Sequence, residues 1–96
     1  MHGVMTIFEG TIPEAGWPAL QERWKTSFKE TPEDLKHRWL IQSVDDGNIW
    51  CSVTLWGSRE AFADYQASVE HLPDNELFRA LGVTPVLAAF EVAEEG

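Results

Sequence analysis

Three histidines, one cysteine and an unusual number of large rings are the residues of this 96-residue chain best suited to chemistry. His71 stands just before Leu72-Pro73, at the expected end of a helix. An imidazole titrates near neutrality and suits proton transfer in a pocket. A surface histidine stabilised by the dipole at a helix C-terminus is the plainer explanation. His37 shares a strand face with Leu35, Trp39 and Ile41. It reads as a hydrogen-bonded core histidine or as a base pointing into a pocket. His2 reads as part of a disordered start.

Other kinds of site find little support. The histidines and Cys51 lack metal-ligand spacing. No glycine-rich loop follows a strand, so no phosphate cradle is visible. Ser58 is better explained as a helix cap than as a nucleophile. Asp45 and Asp46 are turn residues rather than a catalytic pair. An enzyme built on this chain is therefore expected to need no cofactor and no metal. Cys51 has no partner for an internal disulfide, which fits a reducing cytoplasm. It sits in a strand-like run and reads as a small apolar residue. Five tryptophans and five phenylalanines suggest a core of large rings or an aromatic-lined pocket.

The charge of −9 argues against nucleic acid and against anionic membranes as partners. Residues 23 to 38 depart from it. They hold five of the seven basic residues and three acidic ones, so the segment is +2 and the rest −11. This segment reads as a solvated helix face and strand edge, with an anion-binding rim as the functional alternative. The first residues show no basic stretch followed by a long apolar run, so no signal peptide is expected. No apolar run approaches the ~20 residues of a membrane span. The length allows one domain, 1–96, with a small core that a partner subunit would help to stabilise.

The elements that must position these residues follow from periodicity. Val4 to Ile12 is expected as a strand, with Val4, Thr6 and Phe8 on one face and Met5, Ile7 and Glu9 on the other. A helix follows. Thr11 and Glu14 form a possible capping box, or Pro18 marks the first turn of a later start. Trp17, Leu20, Trp24 and Phe28 make its apolar stripe, and Thr31-Pro32 ends it. Leu35 to Val44 and Ile49 to Trp56 read as a hairpin around Asp45-Asp46-Gly47-Asn48, with Gly47 available for positive φ. The Lys36, Arg38 and Gln42 face reads as that of an edge strand. A helix from Ser58 to Val69, a short helix capped by Asp74 that runs through Leu81 and is stopped by Gly82, and a strand from Thr84 to Val92 complete the chain.

The resulting order, β-α-β-β-α-β, predicts an α+β, ferredoxin-like antiparallel sheet with its helices on one face. Strands one, three and four carry apolar side chains on both faces. The uncovered face would be a large exposed patch in a monomer, so a two-fold homodimer with sheets face to face is expected.

The run Leu55-Trp56-Gly57-Ser58-Arg59-Glu60-Ala61-Phe62, with Tyr65 and Ser68 after it, resembles the dimeric α/β-barrel superfamily. Within that group it is most similar to the antibiotic-biosynthesis-monooxygenase-like domains. The likeness in element order and length spans about Val4 to Val92. In the oxygenase branch it implies oxidation of anthrones, quinols or related phenols by O₂ without metal or flavin. The site would then bind the ring in a dry aromatic pocket and hydrogen-bond or deprotonate the phenol. On that basis His71 and His37 are the candidate catalytic residues, and Trp56, Trp39 and Tyr65 the candidate substrate-binding residues. A haem-degrading branch resembles the chain in fold. Its members use an Asn on the first strand, absent here between Val4 and Ile12, with a Trp where Tyr65 falls and a His near His71.

Three functions follow as expectations. One is a cofactor-independent monooxygenase of small aromatic or phenolic molecules. Another is a non-catalytic, small-molecule-binding or stress-related dimer. The third is a small acid–base enzyme such as an isomerase or dehydratase. A shared fold does not choose among them.

Overall fold

The computed structural model describes residues 3–28, 33–68 and 72–94. Strand β1 (Val4–Thr11) leads through a single 3-10 turn (Glu14–Gly16) into helix α1 (Trp17–Thr26). Strands β2 (Leu35–Gln42) and β3 (Ile49–Trp56) follow, then helices α2 (Arg59–Ser68) and α3 (Pro73–Arg79), and strand β4 (Val86–Glu91). All pairings are antiparallel, in the order β2-β3-β1-β4. This is the expected ferredoxin-like α+β plan. Among the described residues no helix is long and apolar enough to cross a membrane.

Local chemistry sets the element ends. Pro18 lies in the first turn of α1, where a missing N–H costs nothing, so the later of the two expected helix starts is adopted. At α2 the Ser58 hydroxyl accepts the Ala61 N–H at 3.0 Å, as an N-cap should. Asp74 was expected to cap α3. Instead Leu72 occupies the cap position and Pro73 opens the helix, which puts Asp74 in its first turn. Gly82 takes φ +78 just past α3, the left-handed geometry that ends helices. Gly47 does not take positive φ. The Trp17 ring lies 3.2 Å from where its Cβ would stand, so contact explains that glycine, not backbone freedom. The expected end of α1 at Thr31-Pro32 falls outside the described residues, as do Val69 and His71.

Strand alternation divides the sheet into two faces. Val4, Thr6 and Phe8 of β1 and Trp50, Ser52, Thr54 and Trp56 of β3 are buried on the face covered by the helices. Phe8 and Trp50 join Ile12, Leu20, Leu77 and Phe78 in one cluster. Val4 and Trp56 join Leu35 in another, against Phe28, Phe62 and Tyr65. Leu35 was expected to share a face with His37, Trp39 and Ile41. The register slips between Leu35 and His37, where two steps of β2 oppose one step of β3. An extra residue of this kind reverses side-chain parity, and Leu35 turns into the helix-side core.

The other face meets no element of this chain. Across it run the rows His37–Leu55–Met5–Phe90, Trp39–Val53–Ile7–Ala88 and Ile41–Cys51–Glu9–Val86. Trp39, Ile41, Val86 and Phe90 are 40%, 48%, 69% and 55% exposed there.

The tight approach of α3 to β1 gives a test. A Cβ on Gly10 would stand 2.6 Å from Cδ1 of the fully buried Phe78. Gly10→Ala is expected to lower stability by ~1–3 kcal/mol in denaturant titration, and an unchanged midpoint would mean that α3 sits further from the sheet.

Candidate functional site

The helix-side layer is apolar at both ends and polar in the middle. Thr6 and Thr54 are register partners on β1 and β3, and their hydroxyls hydrogen-bond to one another. The Trp56 indole N–H donates to the Thr54 hydroxyl at 3.1 Å. One step further along β3, the Ser52 hydroxyl donates to Oδ1 of Asp74 at 2.6 Å. All four polar residues are at most 4% exposed. Buried hydroxyls and carboxyls need such partners, because desolvation without them is costly.

Aromatic rings close this layer on the α2 side. Trp56 packs on Tyr65, with ring centroids 4.8 Å apart, and on Phe62 at 5.9 Å. Phe28 lies 6.0 Å from Tyr65. Phe62 and Tyr65 face the sheet because they lie three residues apart on α2, on one helical face. Arg38 enters from β2. Its guanidinium lies 4.5 Å from the Trp24 ring and 4.4 Å from the Phe28 ring, a cation–π arrangement. It donates to the Ser27 hydroxyl at 2.5 Å and to the Trp24 carbonyl at 3.3 Å.

Three titratable groups feel one another here. Burial raises the Asp74 pKa, while the Ser52 hydrogen bond and Arg38 pull it partly back. Burial, with Asp74 adding to it, pushes the Tyr65 phenol up to about 12, and Arg38 opposes this. Burial lowers the Arg38 pKa, and both acids oppose that. The result is a carboxyl that holds a proton more tightly than usual beside a phenol that stays protonated. Such a group can accept a proton and such a phenol can donate a hydrogen bond.

The candidates from sequence divide between the two faces. Trp56 and Tyr65 are in contact in the helix-side layer. His37 and Trp39 lie together on the open face, stacked at 5.4 Å. His37 is exposed, so it is neither a core histidine nor part of the helix-side layer. His71 lies outside the described residues. Thr6, Ser52, Thr54 and Asp74 escaped the sequence reading as site residues, and Arg38 entered it only as part of the basic 23–38 segment. The polar inward positions of β1 and β3 were the signal for Thr6, Ser52 and Thr54. Cys51 is half-buried on the open face near Glu9, and burial with that carboxylate raises its pKa, which disfavours the thiolate. Among the described residues no three His, Cys, Asp or Glu side chains group as a metal site.

The Asp74 environment makes a pH prediction. A carboxyl whose folded-state pKa exceeds its unfolded value binds protons more tightly in the fold. Its contribution to stability therefore falls as pH rises from the ordinary carboxylate range through the folded pKa. Asp74→Asn keeps an acceptor for Ser52 and removes the charge. Thermal scans are expected to show the variant gaining on the parent as pH climbs from about 4 to about 7. A gap that does not change with pH would mean the carboxyl is solvated.

No protein-family model matches the chain, and no curated protein matches its sequence. Solved structures do match. SnoaB of Streptomyces nogalater, a cofactor-independent oxygenase, is 21% identical over 100% of this chain and 97% of its own, with a TM-score of 0.69. A protein of antibiotic-biosynthesis-monooxygenase type from Deinococcus radiodurans is 12% identical over 97% and 95%, with a TM-score of 0.72. The haem degrader MhuD of Mycobacterium tuberculosis, with two haems in its active site, is 22% identical over 97% and 98%, with a TM-score of 0.68. The strand order, the helices on one face and these likenesses together give this chain the fold of the antibiotic-biosynthesis-monooxygenase-like proteins.

Proposed function

We propose that this protein is a cofactor-independent monooxygenase of small aromatic or phenolic substrates and that it works as a homodimer. The observation that carries the reading is the buried Asp74 carboxyl, hydrogen-bonded by Ser52 beside Arg38 and Tyr65, next to a wall of rings. Oxidation of an anthrone or quinol by O₂ begins with loss of a proton, because the anion is the species rich enough in electrons to reduce oxygen. The substrate supplies the electrons. One oxygen atom enters the product of an anthrone and the other leaves as water. The protein must supply a dry ring site, a base and a hydrogen-bond donor for the oxyanion.

Each need has a residue. Asp74 is the base, Tyr65 the donor, and Arg38 the cation that favours the anion. Trp56 and Tyr65 offer the ring surfaces. His71 is the second candidate base. His37 and Trp39 lie on the open sheet face, so in this reading they act from the dimer interface. The likenesses to SnoaB and to MhuD are equally strong, and what favours oxygenase chemistry over haem degradation is β1, which buries Thr6 as its polar residue and carries no asparagine.

A specific observation favours the non-catalytic reading as second choice. Trp56 is only 2% exposed, and Thr6 and Thr54 only 1%, so the layer beneath α2 is closed in the free chain.

Oxygen uptake by purified protein in the presence of a chelator, across anthrones, quinols and naphthols, separates the two. Turnover of one phenolic class is expected, with at least a ten-fold loss in Asp74→Asn at a melting point no lower than the parent's. Loss in His71→Ala alone would move the base to His71. No uptake with any substrate would leave the binding protein.

The dimer has its own test. The exposed apolar rows of the open face support a second copy as its cover. Light scattering is expected to give twice the chain mass for the parent and the chain mass for Phe90→Glu, with helical content preserved. A parent at the chain mass would refute the homodimer.

A further inference from the structure

We infer that the edge of the sheet at β2 holds a binding site for a planar aromatic anion, distinct from the closed layer around Trp56. A cavity of about 420 Å³ lies there between α1 and β2, walled by Trp24, Lys25, Arg38, Trp39, Leu40 and Trp50, among others. Its size suits a ligand of two or three fused rings. Three of its walls carry a buried N–H that finds no acceptor among the described residues: Nε1 of Trp24, Nε of Arg38 and Nε1 of Trp50. Trp50 is only 5% exposed, so its indole belongs to the core and not to the surface.

Buried donors without acceptors are uncommon and each is costly to leave so. Here all of those found among the described residues belong to the walls of one cavity. The set is one-sided. The buried groups are all N–H donors, Lys25 and Arg38 add two cations, Gln21 contributes the one neutral amide, and no carboxylate lines the cavity. What complements it is a group that only accepts, such as a carboxylate or phenolate oxygen, on a flat apolar body that fits against Trp24, Leu40 and Trp50. Lys25 and Arg38 bring the right sign of charge to this edge of an otherwise acidic chain. The three nitrogens are sealed from solvent, so seating an oxygen against them takes a shift of the half-buried Trp24 ring, for which the adjoining cavity leaves room.

Binding at this site requires no turnover, so its test is separate from the oxygenase reading. The probes are 2-naphthoate and, as a neutral ring of the same size, 2-naphthalenemethanol. Both are titrated into the full chain by calorimetry, with ligand-induced melting shifts in parallel. Naphthoate is expected to bind once per chain and at least ten-fold tighter than the alcohol. Trp50→Phe and Trp24→Phe each keep a ring and delete one donor. Each is expected to weaken naphthoate about ten-fold while changing the alcohol little, the loss of one hydrogen bond to a charged acceptor. A purely structural role for these indoles would weaken both probes alike. Equal affinity for the two probes, parental naphthoate affinity in both variants, or no melting shift at millimolar naphthoate would each overturn the site.

Discussion

Side chains on a strand alternate between two directions, and in β3 that alternation governs most of what this protein can do. Trp50, Ser52, Thr54 and Trp56 are sent to the helices, and Cys51, Val53 and Leu55 to the open face. The inward set is half ring and half hydroxyl. The rings supply much of the buried area that holds α1, α2 and α3 to the sheet. The hydroxyls interrupt that apolar layer and must find partners inside it. They find them in Thr6, in the Trp56 indole and in Asp74.

This arrangement brings a carboxyl into a place that the hydrophobic effect alone would deny it. Asp74 reaches Ser52 from the first turn of α3, because the cap at Leu72 starts that helix two residues earlier than a cap at Asp74 would. The buried acid is compensated by one strong hydrogen bond and by a guanidinium that is itself held between two rings. A half-compensated carboxyl of this kind costs stability, and acids with perturbed proton affinity cluster at functional sites. The unpaired indole and guanidine nitrogens at the β2 edge show the same tension from the donor side.

The two faces also have different fates. Helices cover one, and the apolar rows on the other meet nothing in this chain. His37 and Trp39 stack on that second face. A single-residue slip in β2 separates them from Leu35, which sits on the core side. Without the slip, strict alternation along β2 would have put Leu35 on the open face with them.

The sequence alone determined the plan of the fold. Strong alternation in β1 and β3, the Ser58 cap, the Asp45–Asn48 turn and the proline and glycine stops are local signals, each acting within a few residues. They led to the right order of elements and the right faces for β1. Tertiary structure decided the site. Asp74 looked like a cap because its partner Ser52 lies 22 residues away in the chain. Arg38 looked like a solvated edge residue because the rings of Trp24 and Phe28 that enclose it come from another element. Pairing across elements sets burial, and burial sets both the proton affinity of Asp74 and the isolation of the Trp24, Arg38 and Trp50 donors. Neither property is carried by spacing along the chain.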